Sequence, residues 1–237
     1  MSHPKLLLLS NSLNHGMAYL EHAKPHFKSF LGAQIERVLF VPYAGVTFSH
    51  DDYSARVRPA FEEVGFKLDA IHDFSNPKQA VAEAQAIAVG GGNTFQLLHQ
   101  LYENDLLVLI RERVQAGMPY IGWSAGSNVA CPTIKTTNDM PIVMPKSFQA
   151  LGLVPFQINP HYLDANPQGH QGETREQRLL EFIEVNPDMY VVGLREGSLL
   201  RIEGGSISLF GDKSIRIFHH GELPCELAPT DSLQFLL

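Results

Sequence analysis

A chain of 237 residues with 44% hydrophobic and 18% charged residues has enough apolar side chains for one buried core, and its composition lies far from that of disordered polymers. A formal net charge of −7 excludes a surface built to hold nucleic acid or an anionic membrane, both of which need clustered Lys and Arg. Two cysteines without CxxC spacing, Cys131 and Cys225, exclude a disulfide framework and read as small buried residues of a cytoplasmic protein.

The first element is the apolar run 6–9, a buried strand too short for the core of a signal peptide, and no later stretch approaches a membrane-spanning length. Similar runs at 38–41, 68–71, 87–89 and 120–122 predict further strands. Between them, helical periodicity covers 52–64, 77–84, 94–102 and 106–116, the last stopped by Gly117 and Pro119. Strands alternating with helices predict an α/β fold, a parallel sheet flanked by helices. Beyond Cys131, six prolines from Pro132 to Pro167 mark a loop-rich stretch, followed by one amphipathic helix at 173–185. From Met189 the pattern becomes short β elements, with a hairpin of 199–202 and 206–209 turning through Glu203-Gly204-Gly205. No linker or repeat interrupts this order, so residues 1–237 read as a single domain.

Gly122-Trp123-Ser124-Ala125-Gly126 is a GxSxG pattern directly after a strand and before a segment able to start a helix. A sharp turn there strains the serine backbone, needs glycines on either side, and projects Ser124 Oγ above the sheet as a nucleophile. Gly90-Gly91-Gly92-Asn93-Thr94 forms a second glycine-rich strand-to-helix turn. It lacks both the Lys-Ser/Thr ending of a P-loop and GxGxxG spacing, and its bare amides suit an oxyanion hole, with Gly92 and Ala125 as the donor pair.

A serine nucleophile needs a base. His161, in Asn159-Pro160-His161-Tyr162 after an apolar run, is the best placed histidine, and His170 on a Gly-flanked loop competes with it. For the carboxylate that would orient the base, Asp139 and Glu196 both qualify. The order Ser124, Asp139, His161, Glu196 does not match an α/β-hydrolase, whose histidine comes near the end of the chain. Nor does it match a class I glutamine amidotransferase, with Cys at the elbow and an acid two residues past the histidine, since position 163 is Leu.

Taken with Thr137-Asn-Asp-Met140, Gly169-His-Gln-Gly-Glu-Thr-Arg-Glu-Gln-Arg178 and Leu194-Arg-Glu-Gly-Ser198, these segments resemble the S51 family of serine peptidases, the α-aspartyl dipeptidases, over nearly the whole chain. The resemblance implies a fold like the class I glutamine amidotransferases and flavodoxin, with C-terminal β hairpins. It implies Ser124 as nucleophile, His161 as base and Asp139 or Glu196 as the third member. The substrate it implies is a small peptide with N-terminal aspartate, cleaved without metal or other cofactor. A substrate carboxylate is best met by a guanidinium, and Arg175 lies at a loop-to-helix junction suited to clamp it. Glu173 is placed to pair with the substrate ammonium group. The rival readings are a cyanophycinase-like β-aspartyl hydrolase and a non-catalytic module that binds acidic amino acids. No feature specifies an oligomeric state.

Overall fold

Four consecutive leucines, Leu6–Leu9, form β1 and are all buried, which requires a central strand covered on both faces. The computed structural model describes residues 4–164 and 172–237. After β1 the chain runs through α1 (Lys24–Leu31), β2 (Arg37–Val41), α2 (His50–Glu62), β3 (Lys67–Ala70), α3 (Pro77–Glu83), β4 (Ile87–Val89), α4 (Thr94–Glu103), α5 (Leu107–Gln115), β5 (Tyr120–Trp123) and α6 (Ala125–Ala130). It continues through β6 (Gln157–Pro160), α7 (Arg175–Glu184), β7 (Val191–Leu194), β8 (Leu199–Glu203), β9 (Ser206–Phe210), β10 (Ile215–Phe218) and β11 (Cys225–Leu227).

The large sheet has the order β3-β2-β4-β5-β1-β8-β9. Its strands from β3 to β1 are parallel, and β8 and β9 add an antiparallel hairpin beside β1. Alternate β1 side chains enter opposite cores: Leu6 and Leu8 pack with α4, α5 and α6, and Leu7 and Leu9 with the aromatic layer of α1 and α2. The predicted parallel sheet flanked by helices is therefore the observed one, with strand and helix ends moved by a residue or two. Capping sets several of these ends. For example, α2 starts at His50 because Ser49 Oγ accepts the Asp52 N–H at 3.0 Å.

Two features differ from expectation. The C-terminal strands do not form hairpins alone: β6, β7, β10 and β11 build a second sheet of order β11-β10-β7-β6, in which β6 and β7 run parallel. Cys225 is exposed on edge strand β11, while Cys131 is buried, and both are free thiols. Among the described residues no helix is long and apolar enough to cross a membrane.

The carboxyl ends of β1, β4 and β5 meet at one rim of the large sheet, the position at which open parallel sheets bind ligands. The second sheet delivers the end of β6 to the same rim: Pro160 is registered with Leu194, and the His161 N–H donates to Ser10 Oγ just past β1.

Candidate active site

Ser124 occupies the turn from β5 to α6 with φ 53° and ψ −112°, a region that side-chain-bearing residues rarely adopt. Close packing imposes the turn. A Cβ on Gly122 would lie 2.6 Å from the Gly126 carbonyl oxygen, and one on Gly126 would lie 2.1 Å from that of Val89. Ser127 locks the turn from the other side, with Oγ against the carbonyls of Leu9 (2.7 Å) and Gly122 (3.0 Å). Gly126→Ala is expected to destabilise the fold by about 3 kcal/mol, the cost of forcing a buried methyl against backbone. In a thermal melt that is a Tm lower by roughly 6–12 °C.

His161 Nε2 lies 3.0 Å from Ser124 Oγ, and His161 Nδ1 lies 2.6 Å from Glu196 Oε1. An ionised carboxylate only accepts, so Nδ1 carries the proton it gives to Glu196 and Nε2 is left to accept from the Ser124 hydroxyl. The imidazole and the Glu196 carboxylate are 37% and 48% exposed, so a small molecule can reach them. His161 also has a positive φ, 53°, so the base and the serine it faces both sit on constrained backbone.

Elements far apart in the chain hold this pair. Ser10 Oγ accepts the His161 N–H at 2.9 Å and donates to the Leu194 carbonyl at 2.7 Å. Asn11 Oδ1 accepts the Gly197 N–H at 2.8 Å, fixing the turn that carries Glu196. Next to Glu196, Arg195 is clamped by Asp164 and Glu226 over the face of Tyr162, and its hydrogen bonds pull the Glu226 carboxyl down to about 2. Strand β6 is an edge whose free carbonyls need donors, and polar side chains supply them: Asn128 and Thr136 to Ile158, and Asn138 to Pro160.

The Gly90–Asn93 turn lies beside Ser124, with a Cβ on Gly91 meeting Ser124 Cβ at 3.0 Å. Tyr53 braces it, donating to the Gly91 carbonyl at 2.8 Å and accepting from Trp123 Nε1 at 3.1 Å. Gly92 has φ 137°, and a Cβ there would fall 2.2 Å from the Ala44 carbonyl oxygen. Among the described residues the amides of Gly92 and Ala125 have no hydrogen-bond acceptor, whereas the neighbouring Asn93 N–H is given to Ala44. Both are thus available to an oxyanion.

A cleft of about 600 Å³ opens over these groups, lined by Ser124, His161, Glu196, Gly92, Asp139, Arg56 and Arg175 among others. Two further predicted residues sit differently from the rest. Asp139 lies at the start of α4, where its Oδ2 accepts from the Thr94 N–H (2.7 Å), Thr94 Oγ1 (2.5 Å) and Thr137 Oγ1 (3.1 Å), while the carboxylate on His161 is that of Glu196. Glu173 precedes α7, which begins at Arg175 because Thr174 and Gln177 form a capping box, and it pairs with Arg178 at 3.7 Å away from the cleft lining. Arg175 reaches the cleft half-buried, where burial and Arg178 weigh against its charge and Asp139 and Glu196 support it. His170 lies outside the described residues. The Cys131 thiol, pushed up to about 12 by burial, is no rival nucleophile.

The sequence profile of peptidase family S51 matches residues 6–210. The chain belongs to peptidase family S51. This S51 chain is 55% identical to peptidase E of a Nostoc species over 233 residues, 98% of the chain and 96% of the relative. It is 52% identical to peptidase E of Streptomyces coelicolor over 233 residues, covering 98% and 94%. Among solved structures it resembles a candidate peptidase E of Listeria monocytogenes, with a TM-score of 0.64 and 26% identity, covering 89% of this chain and 99% of the other. A peptidase of an acI-B1 actinobacterium shares the fold, with a TM-score of 0.70 at 18% identity. Family membership makes this S51 chain a peptidase.

The sequence patterns did not point to Ser10, Asn11, Tyr53 or Arg56. Ser10-Asn11 did carry a usable signal, two polar residues at the carboxyl end of a fully buried strand, where parallel sheets bind ligands.

Proposed function

We propose that this S51 peptidase is a serine-type dipeptidase that hydrolyses Asp-Xaa dipeptides through an acyl-enzyme on Ser124. The observation that carries this reading is the unbroken line Ser124 Oγ, His161 Nε2, His161 Nδ1, Glu196 Oε1 in the same cleft as an arginine, Arg175, that has no carboxylate or carbonyl partner among the described residues.

Ser124 Oγ attacks the aspartyl carbonyl carbon as its proton passes to His161 Nε2, and the carbonyl oxygen becomes an oxyanion held by the Gly92 and Ala125 amides. The C–N bond then breaks, with His161 returning the proton to the leaving amine. A water molecule, deprotonated by His161, attacks the ester and releases aspartate, restoring the Ser124 hydroxyl. Glu196 stabilises the imidazolium at each stage. The substrate side-chain carboxylate takes the Arg175 guanidinium, completing the charge pair that a half-buried cation lacks.

Hydrolysis of Asp-Leu, Asn-Leu, Leu-Leu and isoaspartyl-Leu by the wild type and Arg175→Gln tests the reading. Asp-Leu is expected to be preferred in the wild type, and Arg175→Gln to lose about 10²-fold in kcat/KM for it, the worth of hydrogen bonds between charged groups. Asn-Leu, which lacks the charge, should lose little. A wild type selective for isoaspartyl-Leu would replace the proposal with a β-aspartyl hydrolase, and a folded protein that cleaves none of the four would replace it with a binding module.

A further inference from the structure

A dipeptide beginning with aspartate carries two carboxylates, and Arg175 accounts for one. We infer that Arg56 binds the second, the C-terminal α-carboxylate of the dipeptide, and so gives the enzyme a preference for substrates that end one residue after the aspartate. This inference rests on the function proposed above.

Among the described residues, Arg56 and Arg175 are the two arginines with neither a hydrogen bond nor an ion pair, and both line the same cleft. The other arginines end on carboxylates or carbonyls elsewhere, as Arg37 does on Asp69 and Arg111 on Leu151. In a chain of net charge −7, two unpaired guanidinium groups in one cleft of about 600 Å³ mark it as a place for a small dianionic molecule.

The two cations stand on different walls. Arg175 opens α7 and feels Asp139 and Glu196, the acidic groups of the lining. Arg56 belongs to the α2 wall with Tyr19, Phe48 and Tyr53, where no lining carboxylate offsets its charge. Its guanidinium lies 5.1 Å over the Phe48 ring, which meets Tyr53 edge-on at 5.2 Å, and Tyr53 holds the Gly91 carbonyl. An aromatic face beneath a guanidinium leaves its N–H edge free for a bidentate carboxylate and limits the side-chain freedom lost on binding. Two residues of extended chain span about 7 Å, so the carboxylates of one dipeptide can address cations on separate walls with the scissile bond between them.

The test compares Asp-Leu with Asp-Leu-amide, whose C-terminal charge is removed, using wild type, Arg56→Gln and Arg56→Lys. Wild type is expected to favour the free acid by about 10–100-fold in kcat/KM. In Arg56→Gln the preference should fall to within about threefold, through a raised KM for Asp-Leu with the amide unaffected, and Arg56→Lys should recover part of it. Arg56 is exposed on α2, and circular dichroism melts verify that the variants fold as wild type does. A preference that survives in Arg56→Gln, or a wild type that treats acid and amide alike, overturns the role of Arg56. In either case cleavage of the amide by wild type shows that aspartyl recognition stands. If folded wild type cleaves neither peptide, the proposed function falls, and the role of Arg56 with it.

Discussion

Ser124→Ala is expected to lower kcat on Asp-Leu by a factor on the order of 10⁴–10⁶, with KM changed little. Replacing the hydroxyl removes the nucleophile while leaving both oxyanion amides and the cleft in place, so only the binding and electrostatic share of catalysis survives. Alanine keeps the Cβ, and with it the same strained φ of 53°, and what is lost is one half-exposed hydrogen bond to His161. Stability should therefore stay within about 1 kcal/mol of wild type. Stopped assays by amino-acid analysis, paired with thermal melts, separate a chemical defect from a folding defect.

The second large effect lies in the carboxylate. Glu196→Gln is expected to cost about 10⁴-fold in kcat, because a neutral amide beside Nδ1 neither fixes the tautomer nor stabilises the imidazolium. Asp139→Asn should stay within about tenfold in kcat. Its cost should instead appear as about 1–2 kcal/mol of stability, since its Oδ2 accepts the Thr94 N–H at the positive end of α4. For a chain of this length that is a Tm lower by roughly 2–8 °C. The opposite ranking of the two variants in kcat would make Asp139 the orienting group in the reacting enzyme, and equal small losses would dissolve the triad.

The contrast between these two carboxylates shows what local pattern carries. GxSxG after an apolar strand specifies a turn through sterics between immediate neighbours, so the strain at Ser124 and its exposure were legible from five residues. The parallel sheet was legible because strand and helix periods alternate along the chain. Asp139 and Glu196 are both polar loop residues near plausible strand ends, and nothing local separates them. The decision lies in the parallel pairing of β6 with β7, which registers Pro160 with Leu194 and so carries His161 past Arg195 to Glu196. That pairing joins segments more than thirty residues apart and belongs to the second sheet, whereas the turn signal at Glu203-Gly204-Gly205 specified only the local β8–β9 hairpin of the large sheet.

Ser10, Asn11 and Tyr53 escaped for the same reason. Each acts on a partner distant in the chain, Ser10 on His161 across 151 positions and Asn11 on Gly197 across 186. The position of Glu173 follows from a local device: the capping box of Thr174 and Gln177 starts α7 at Arg175, and Glu173, just before the cap, pairs with Arg178.

The central claim is that aspartate passes through an ester on Ser124. Its most direct test is acid quenching of the enzyme during turnover of aspartyl α-p-nitrophenyl ester, whose fast acylation lets the intermediate accumulate, followed by peptide mapping by mass spectrometry. The account predicts one aspartyl residue added to the peptide containing Ser124, absent from Ser124→Ala, together with an initial burst of nitrophenol. Turnover of the ester by Ser124→Ala at the wild-type rate, with no adduct on Ser124 in either protein, would contradict it.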